Sequence, residues 1–284
     1  MQLIKTVKEI QAISDKLRAE GKKIGFVPTM GYLHEGHASL VVRAKELADI
    51  AIVSIFVNPT QFGPTEDYAK YPRDLNKDLL ACEAAGADYV FAPEDKEMYP
   101  GGFNTEVSIK GVSDKFEGSF RPIHFNGVAT VVTKLFLAVK PHIAVFGQKD
   151  YQQTLVVKQA VRDMLMDVAI EVAPTVREAD GLAKSSRNTY LSAEERILAI
   201  TLYKALNSAR QIISSGAKNR QAINDAMSEV INNSGAFKID YASSALFDDL
   251  SEPEEFKSGQ EIVCLIAAYL GKTRLIDNCL ITIP

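Results

Sequence analysis

Cysteine is scarce in this chain, and so is any surplus of positive charge. Cys82, Cys264 and Cys279 are odd in number, far apart and in no C-x-x-C arrangement. A thiol-based zinc site is excluded on that pattern, and inert buried thiols in a reduced, cytoplasmic setting are expected. Lys and Arg number 32 against 36 Asp and Glu, a net charge of −4, which leaves too little basic surface for a broad nucleic-acid interface. No apolar run approaches the ~20 residues that a membrane helix needs. Met1 to Glu20 alternates charged and apolar residues, as a surface helix does and a signal peptide does not. Internal repeats and low-complexity segments are missing, and so is the G-x-S-x-G elbow of a serine nucleophile. What remains is a globular composition, 46% hydrophobic and 24% charged over 284 residues, enough for two domains.

Strand and helix patterns alternate through residues 1–175. Apolar runs at Ile24–Val27, Ala51–Val57, Tyr89–Phe91, Ile143–Phe146 and Val168–Val172 read as strands. Helical periodicity separates them at 37–48, 75–85, 128–139 and 152–164. Such alternation predicts a doubly wound, Rossmann-like α/β fold built on a parallel sheet with right-handed crossovers. Ligands of such sheets lie beyond the carboxyl ends of the strands. From about Val176 two helical patterns, 192–214 and 219–232, precede strand-like stretches at 239–246, 262–270 and 275–283. Residues 176–284 are therefore expected to form a smaller C-terminal α+β domain, with Ala173-Pro174 as the hinge.

Three polar clusters follow strands and should converge on one rim. The first, Pro28-Thr29-Met30-Gly31-Tyr32-Leu33-His34-Glu35-Gly36-His37, enters a helix expected to start near His37. A helix N-terminus carries unpaired N–H groups and partial positive charge, a setting for phosphate. Two imidazoles there supply donors that follow negative charge as it builds in a reaction. Capping of the helix by the histidines is the plainer reading of H-x-x-H alone. In the second cluster, Asn58-Pro59-Thr60-Gln61-Phe62-Gly63, neutral amides suit a small hydroxy acid or amine, whereas turn chemistry explains Asn and Pro by itself. In the third, Gly147-Gln148-Lys149-Asp150-Tyr151-Gln152-Gln153, Lys149 suits a phosphate oxygen. Asp150 suits ribose hydroxyls or a helix cap, and Gln153 shares its helical face. Lys184, Ser185, Ser186 and Arg187 would close over a triphosphate or simply make a charged surface loop. Lys115, Arg121, His124 and Asn126 make a polar, mobile segment to which the pattern assigns no role, and His142 before its strand reads as structural.

These segments together resemble the pantothenate synthetase (pantoate–β-alanine ligase) family, within the H-x-G-H nucleotidyltransferase superfamily related to class I aminoacyl-tRNA synthetases. The resemblance rests on Pro28–Gly31, His34–His37, Phe56–Phe62, Gly147–Asp150 with Gln153, and Ser185–Asn188, and covers nearly the whole length. It implies ATP-dependent condensation of pantoate with β-alanine through a pantoyl adenylate, releasing pyrophosphate and AMP. Carried over by position, His37, His34 and Lys149 would be catalytic, with His37 the proton donor. Met30, Gly31, Tyr32, Leu33, His34, Glu35, Gly36, His37, Gly147, Gln148, Lys149, Asp150, Val176, Lys184, Ser185, Ser186 and Arg187 would bind ATP. Gln61 and Gln153 would hold pantoate, and Gln61 with Asn58 would hold β-alanine. Mg²⁺ would arrive with the triphosphate, held partly by its oxygens. A cytoplasmic homodimer is implied, with small-molecule substrates and neither nucleic acid nor membrane as partner. Tyr32, Ile123 and Lys184 depart from the commonest family pattern without removing a group that the chemistry needs. Two rivals stay open on the residues alone. A superfamily member adenylylating a phosphate would leave Gln61 and Gln153 without a task. A nucleotide sensor without catalysis is opposed by His34, His37, Lys149 and Arg187.

Overall fold

A computed structural model describes residues 1–64 and 66–284. Its strands are β1 Gln2–Ile4, β2 Ile24–Thr29, β3 Ile50–Ile55, β4 Tyr89–Phe91, β5 Ile143–Gly147, β6 Ala169–Ala173, β7 Phe237–Leu246, β8 Glu261–Leu270 and β9 Thr273–Thr282. Its α-helices are α1 Val7–Ala19, α2 Glu35–Leu47, α3 Leu75–Ala84, α4 Asp95–Met98, α5 Glu117–Phe120, α6 His124–Val139, α7 Tyr151–Asp163, α8 Ala193–Leu198, α9 Thr201–Ser214 and α10 Arg220–Asn233.

The chain divides into two compact units, Met1–Gln148 with Gln152–Pro174, and Lys149–Tyr151 with Thr175–Pro284. In the first, six strands in the order β1-β4-β3-β2-β5-β6 pair in parallel throughout. Alternation along the central strands makes two cores. Phe26 and Ile52 face Ile10 and Leu17 of α1 and Leu135 and Phe136 of α6. Their chain neighbours Val27 and Val53 face Leu40, Val41 and Ala44 of α2 and Cys82 of α3. Each side chain thus alternates faces, and helices cover both, as the doubly wound reading requires.

The order of the strands reverses at β2, since the chain moves from β2 to β3 and β4 on one side and to β5 and β6 on the other. β2 pairs with β5 only at Gly25 and Phe26, but with β3 along its whole length. Pro28, which has no N–H to give, stands where β2 and β5 no longer pair. A crevice at such a reversal is the ligand position of this fold class.

In the second unit β7, β8 and β9 form an antiparallel sheet, against which α9 and α10 bury Leu202, Leu206, Ile213, Ile223, Met227 and Ile231. Lys149–Tyr151 belongs here because Asn278 Nδ2 donates to Lys149 O at 2.9 Å and Tyr151 Oη donates to Phe247 O at 2.6 Å. Two expectations of helix extent need correction. The N-terminal segment opens with the edge strand β1, whose Ile4 is buried, before α1 begins at Val7. The pattern over 192–214 is two helices, because α8 buries none of its residues while α9 buries a full face. No helix among the described residues is long and apolar enough to cross a membrane.

Candidate active site

The loop from β2 into α2 is built around its own donors. Gly31 has φ 81°, and a Cβ there would stand 2.8 Å from Asp78 Oδ2 and 3.0 Å from Ile55 Cγ2, so only glycine fits. Thr29 Oγ1 accepts from Gly31 N at 3.1 Å and donates to Ser54 O at 2.7 Å. Asp78 of α3 accepts from Tyr32 N at 2.8 Å and Leu33 N at 2.7 Å. Burial pushes its carboxyl up, although those two N–H groups pull the other way.

Helix α2 begins at Glu35, two residues before the expected start, because His34 is its N-cap. His34 Nδ1 accepts from Gly36 N at 3.1 Å, and His37 Nδ1 accepts from His34 N at 3.3 Å. The two rings lie 4.0 Å apart between centroids. A nitrogen that accepts a backbone N–H carries no proton, so each neutral imidazole holds its proton on Nε2. Capping and a donor role are therefore not rivals here: Nδ1 caps, and the proton stays on Nε2. The backbone N–H groups of Gly31, His34 and Gly36 have partners on Thr29, His37 and His34, and those of Tyr32 and Leu33 on Asp78 of α3.

Beyond β3, Asn58 caps the short turn Pro59–Gln61 and is 1% exposed. Its Nδ2 donates to Gln61 Oε1 and to Gly127 O, each at 3.1 Å. Its Oδ1 accepts from Tyr99 Oη at 2.6 Å and Thr60 Oγ1 at 3.0 Å. Gln61 Nε2 reaches Met30 Sδ at 3.1 Å, which joins this turn to the histidine loop. A Cβ at Gly127 would come within 2.6 Å of the backbone of Gln61, so α6 approaches the turn only through glycine. His124 Nδ1 lies 3.0 Å from Gln61 O. Arg121 grips Glu66 in a bidentate pair at 2.9 and 2.6 Å. Burial pushes the Glu66 carboxyl up, but the hydrogen bonds and charge of Arg121 outweigh it and hold it below the ordinary value.

Gly147 ends β5, the strand beside β2, Gln148 follows it, and Gln153 is half-buried on the first turn of α7. Its neighbour Gln152 ties down the segment expected to be mobile, donating to Val112 O and Lys115 O at 2.7 Å and accepting from Glu117 N at 3.0 Å. In the second unit, Val176 O accepts from Lys184 N at 3.0 Å, closing a hairpin over residues 176–184. Arg177 holds that hairpin to β9 by a bidentate pair with Asp277 at 2.6 and 2.9 Å and donates to Gly181 O at 3.0 Å. Ser185 caps the turn Ser186–Tyr190, accepting from Arg187 N at 3.3 Å. Lys149 and Asp150 lie 3.9 Å apart. His142 is structural as expected, its Nδ1 accepting from Ile24 N at 2.9 Å. Sequence reading missed Asp78, Tyr99, Gly127 and Gln152. The bonds from Asp78 to Tyr32, from Tyr99 to Asn58 and from Gln152 to Glu117 each span 35 or more residues, beyond the reach of any local pattern.

A sequence profile of the pantoate–β-alanine ligases matches residues 2–280. The chain belongs to that family. It is 51% identical over 283 residues to the pantothenate synthetase of Caldicellulosiruptor saccharolyticus, covering 100% of both chains. It is 50% identical over 278 residues to that of Herpetosiphon aurantiacus, covering 98% of this chain and 99% of that one. Pantothenate synthetase from Thermus thermophilus superposes with a TM-score of 0.92 at 44% identity, over 98% of this chain and 99% of that one. The pantoate–β-alanine ligase of Francisella tularensis, solved with βγ ATP and β-alanine, superposes at 0.80 and 36% identity, over 99% of this chain and 97% of that one. Membership of the pantoate–β-alanine ligases makes the chain a ligase of pantothenate biosynthesis.

Proposed function

We propose that this chain condenses pantoate with β-alanine in two steps that use ATP. The observation that carries the reading is the Met30–Gln61 contact, which joins an imidazole pair fit for phosphate oxygens to an amide pair fit for a small hydroxy acid. In the first step a pantoate carboxylate oxygen attacks the α-phosphorus, and the bond to the bridging oxygen of pyrophosphate breaks. In the second the β-alanine nitrogen attacks the acyl carbon, the carbon–oxygen bond to AMP breaks, and the nitrogen gives up a proton. Adenylation is what turns a carboxylate oxygen into a leaving group.

Negative charge gathers on the phosphates in the first step, and His34 and His37 present Nε2–H donors to it, with Lys149 as the cation on the α-phosphate. His37 is the proton donor. Residues Met30–His37, Gly147–Asp150, Val176 and Lys184–Arg187 bind ATP. Gln61 and Gln153 bind pantoate. The Gln61 amide serves β-alanine, and Asn58 serves it by holding Gln61, since its own donors and acceptor are engaged. Mg²⁺ would arrive with the triphosphate, held partly by its oxygens, and would neutralise its charge. Residues 1–175 act as the nucleotide- and pantoate-binding domain and 176–284 as a lid that keeps water from the adenylate, moving at Ala173-Pro174. The enzyme works as a homodimer in the cytoplasm.

The test is AMP formation from ATP and Mg²⁺ with each substrate alone and both together. AMP release that needs both, with pantoate alone supporting pyrophosphate exchange into ATP, is the expected result. A dinucleotide product, or ATP binding without turnover, would overturn the reading.

A further inference from the structure

The most strained residue of the histidine loop is Tyr32. Its φ of 51° lies in the left-handed region, immediately after Gly31 at 81°, and a side chain with a Cβ resists that conformation. Such strain persists only where the surroundings impose it, and it concentrates at functional sites. Here the imposing element is α3. Lys77 Nζ stands 5.2 Å from the centre of the Tyr32 ring, and Asp78 takes the two N–H groups that the turn brings to one side. Successive backbone N–H groups arranged in this way make an anion-binding concavity, and the chain fills it with its own carboxylate, 1% exposed.

We propose that Asp78 is a positioning residue for adenylation: by holding Tyr32 left-handed it sets where α2 begins and where the His34 and His37 imidazoles point. Only one residue separates Leu33, which Asp78 binds, from Glu35, the first residue of the helix. A freed Tyr32 would relax to negative φ and swing the N-cap histidine away from Gly36. The role deepens the ligase reading above and rests on it for its catalytic part.

The variant Asp78→Asn keeps the shape but sets an amide N–H₂ against one of the two backbone N–H groups. It is expected to lower the rate of pantoate-dependent pyrophosphate exchange by about tenfold or more, as misplacement of a catalytic group does, with the KM for pantoate nearly unchanged. Adding Tyr32→Gly should restore much of that rate at saturating ATP, whatever the loss of the Tyr32 side chain does to the KM for ATP, because glycine adopts φ 51° without strain; a tie that only packs α3 would not be rescued in this way. Should Asp78→Asn fail to fold, Asp78→Glu, which keeps the charge and misplaces the carboxylate, is expected to show the same loss and the same rescue. Amide hydrogen exchange at Tyr32 and Leu33 reads the hold without any substrate: slow in the wild type, fast in Asp78→Asn. Fast amide exchange in the wild type, an unchanged kcat for pyrophosphate exchange in the variant, or no rescue by Tyr32→Gly overturns the proposal. If the wild type itself catalyses no pantoate-dependent pyrophosphate exchange, the ligase reading fails, and amide exchange still decides whether Asp78 holds the loop.

Discussion

Asn58 holds the side chain of Gln61, its Nδ2 donating to Gln61 Oε1 at 3.1 Å while its Oδ1 accepts from Tyr99 at 2.6 Å. Asn58→Asp preserves the shape, removes both donors and sets acceptor against acceptor at Gln61 and at Gly127 O. Unpaired buried groups cost about 1–3 kcal/mol each, so urea unfolding should show a loss of that order. The KM for pantoate should rise while that for ATP stays close to the wild type. Equal effects on both substrates would show that Asn58 supports the whole rim rather than Gln61.

His37 carries two tasks that one substitution separates. In His37→Ala the N-cap backbone of His34 loses its partner at 3.3 Å, a loss of about 0.5–2 kcal/mol for a cap. The donor to the phosphates is lost as well, and the adenylation rate should fall at least about tenfold. Pyrophosphate exchange measures the second effect and thermal unfolding the first. Near-normal exchange in a folded variant would remove His37 from the chemistry.

The α/β layering was legible from the sequence because Phe26/Val27 and Ile52/Val53 sit in runs apolar at every position, which only a sheet covered on both faces tolerates. The histidine and amide clusters were legible for a similar reason: each follows such a run directly. The residues that brace them were not. Asp78 lies in a segment that the sequence marks only as helical, and only the fold brings its carboxylate to Tyr32 and Leu33. Gln152 stood in a recognised cluster, but nothing local says that its amide points to residues 112–117 rather than to a ligand. The N-terminal strand escaped for want of length, since three residues carry no period. Local signals show where polar groups leave a strand; their partners are set by topology.

The second unit has its own brace in Arg177 and Asp277. Asp277 is 4% exposed, and Arg177 also donates to the backbone O of Asn278, the residue whose side-chain amide holds Lys149 O. In Asp277→Asn the bidentate ion pair becomes a single hydrogen bond from the guanidinium to a neutral amide oxygen, a loss of roughly 1.5–3 kcal/mol. The hairpin over 176–184 and the backbone at Lys149 should both loosen, and the KM for ATP should rise more than that for pantoate. Calorimetry and steady-state kinetics check the two parts. An unaltered ATP KM in a destabilised variant would limit the pair to a structural role.

His142 should give stability a pH dependence that one substitution removes. Burial lowers its pKa below the ordinary 6.5, helped by Arg18 and Lys23 and opposed by Asp167, and its Nδ1 must stay unprotonated to accept from Ile24 N. The unfolded chain therefore binds the proton more readily than the folded one. Its contribution is whole above about pH 6.5 and is lost as pH falls from there through the lowered folded-state pKa. His142→Asn keeps an acceptor for Ile24 N and does not titrate. The difference in urea midpoint between wild type and variant should be flat above about pH 7 and tilt against the wild type toward about pH 5. A difference that stays level across that range would mean that His142 titrates alike in the folded and unfolded chain.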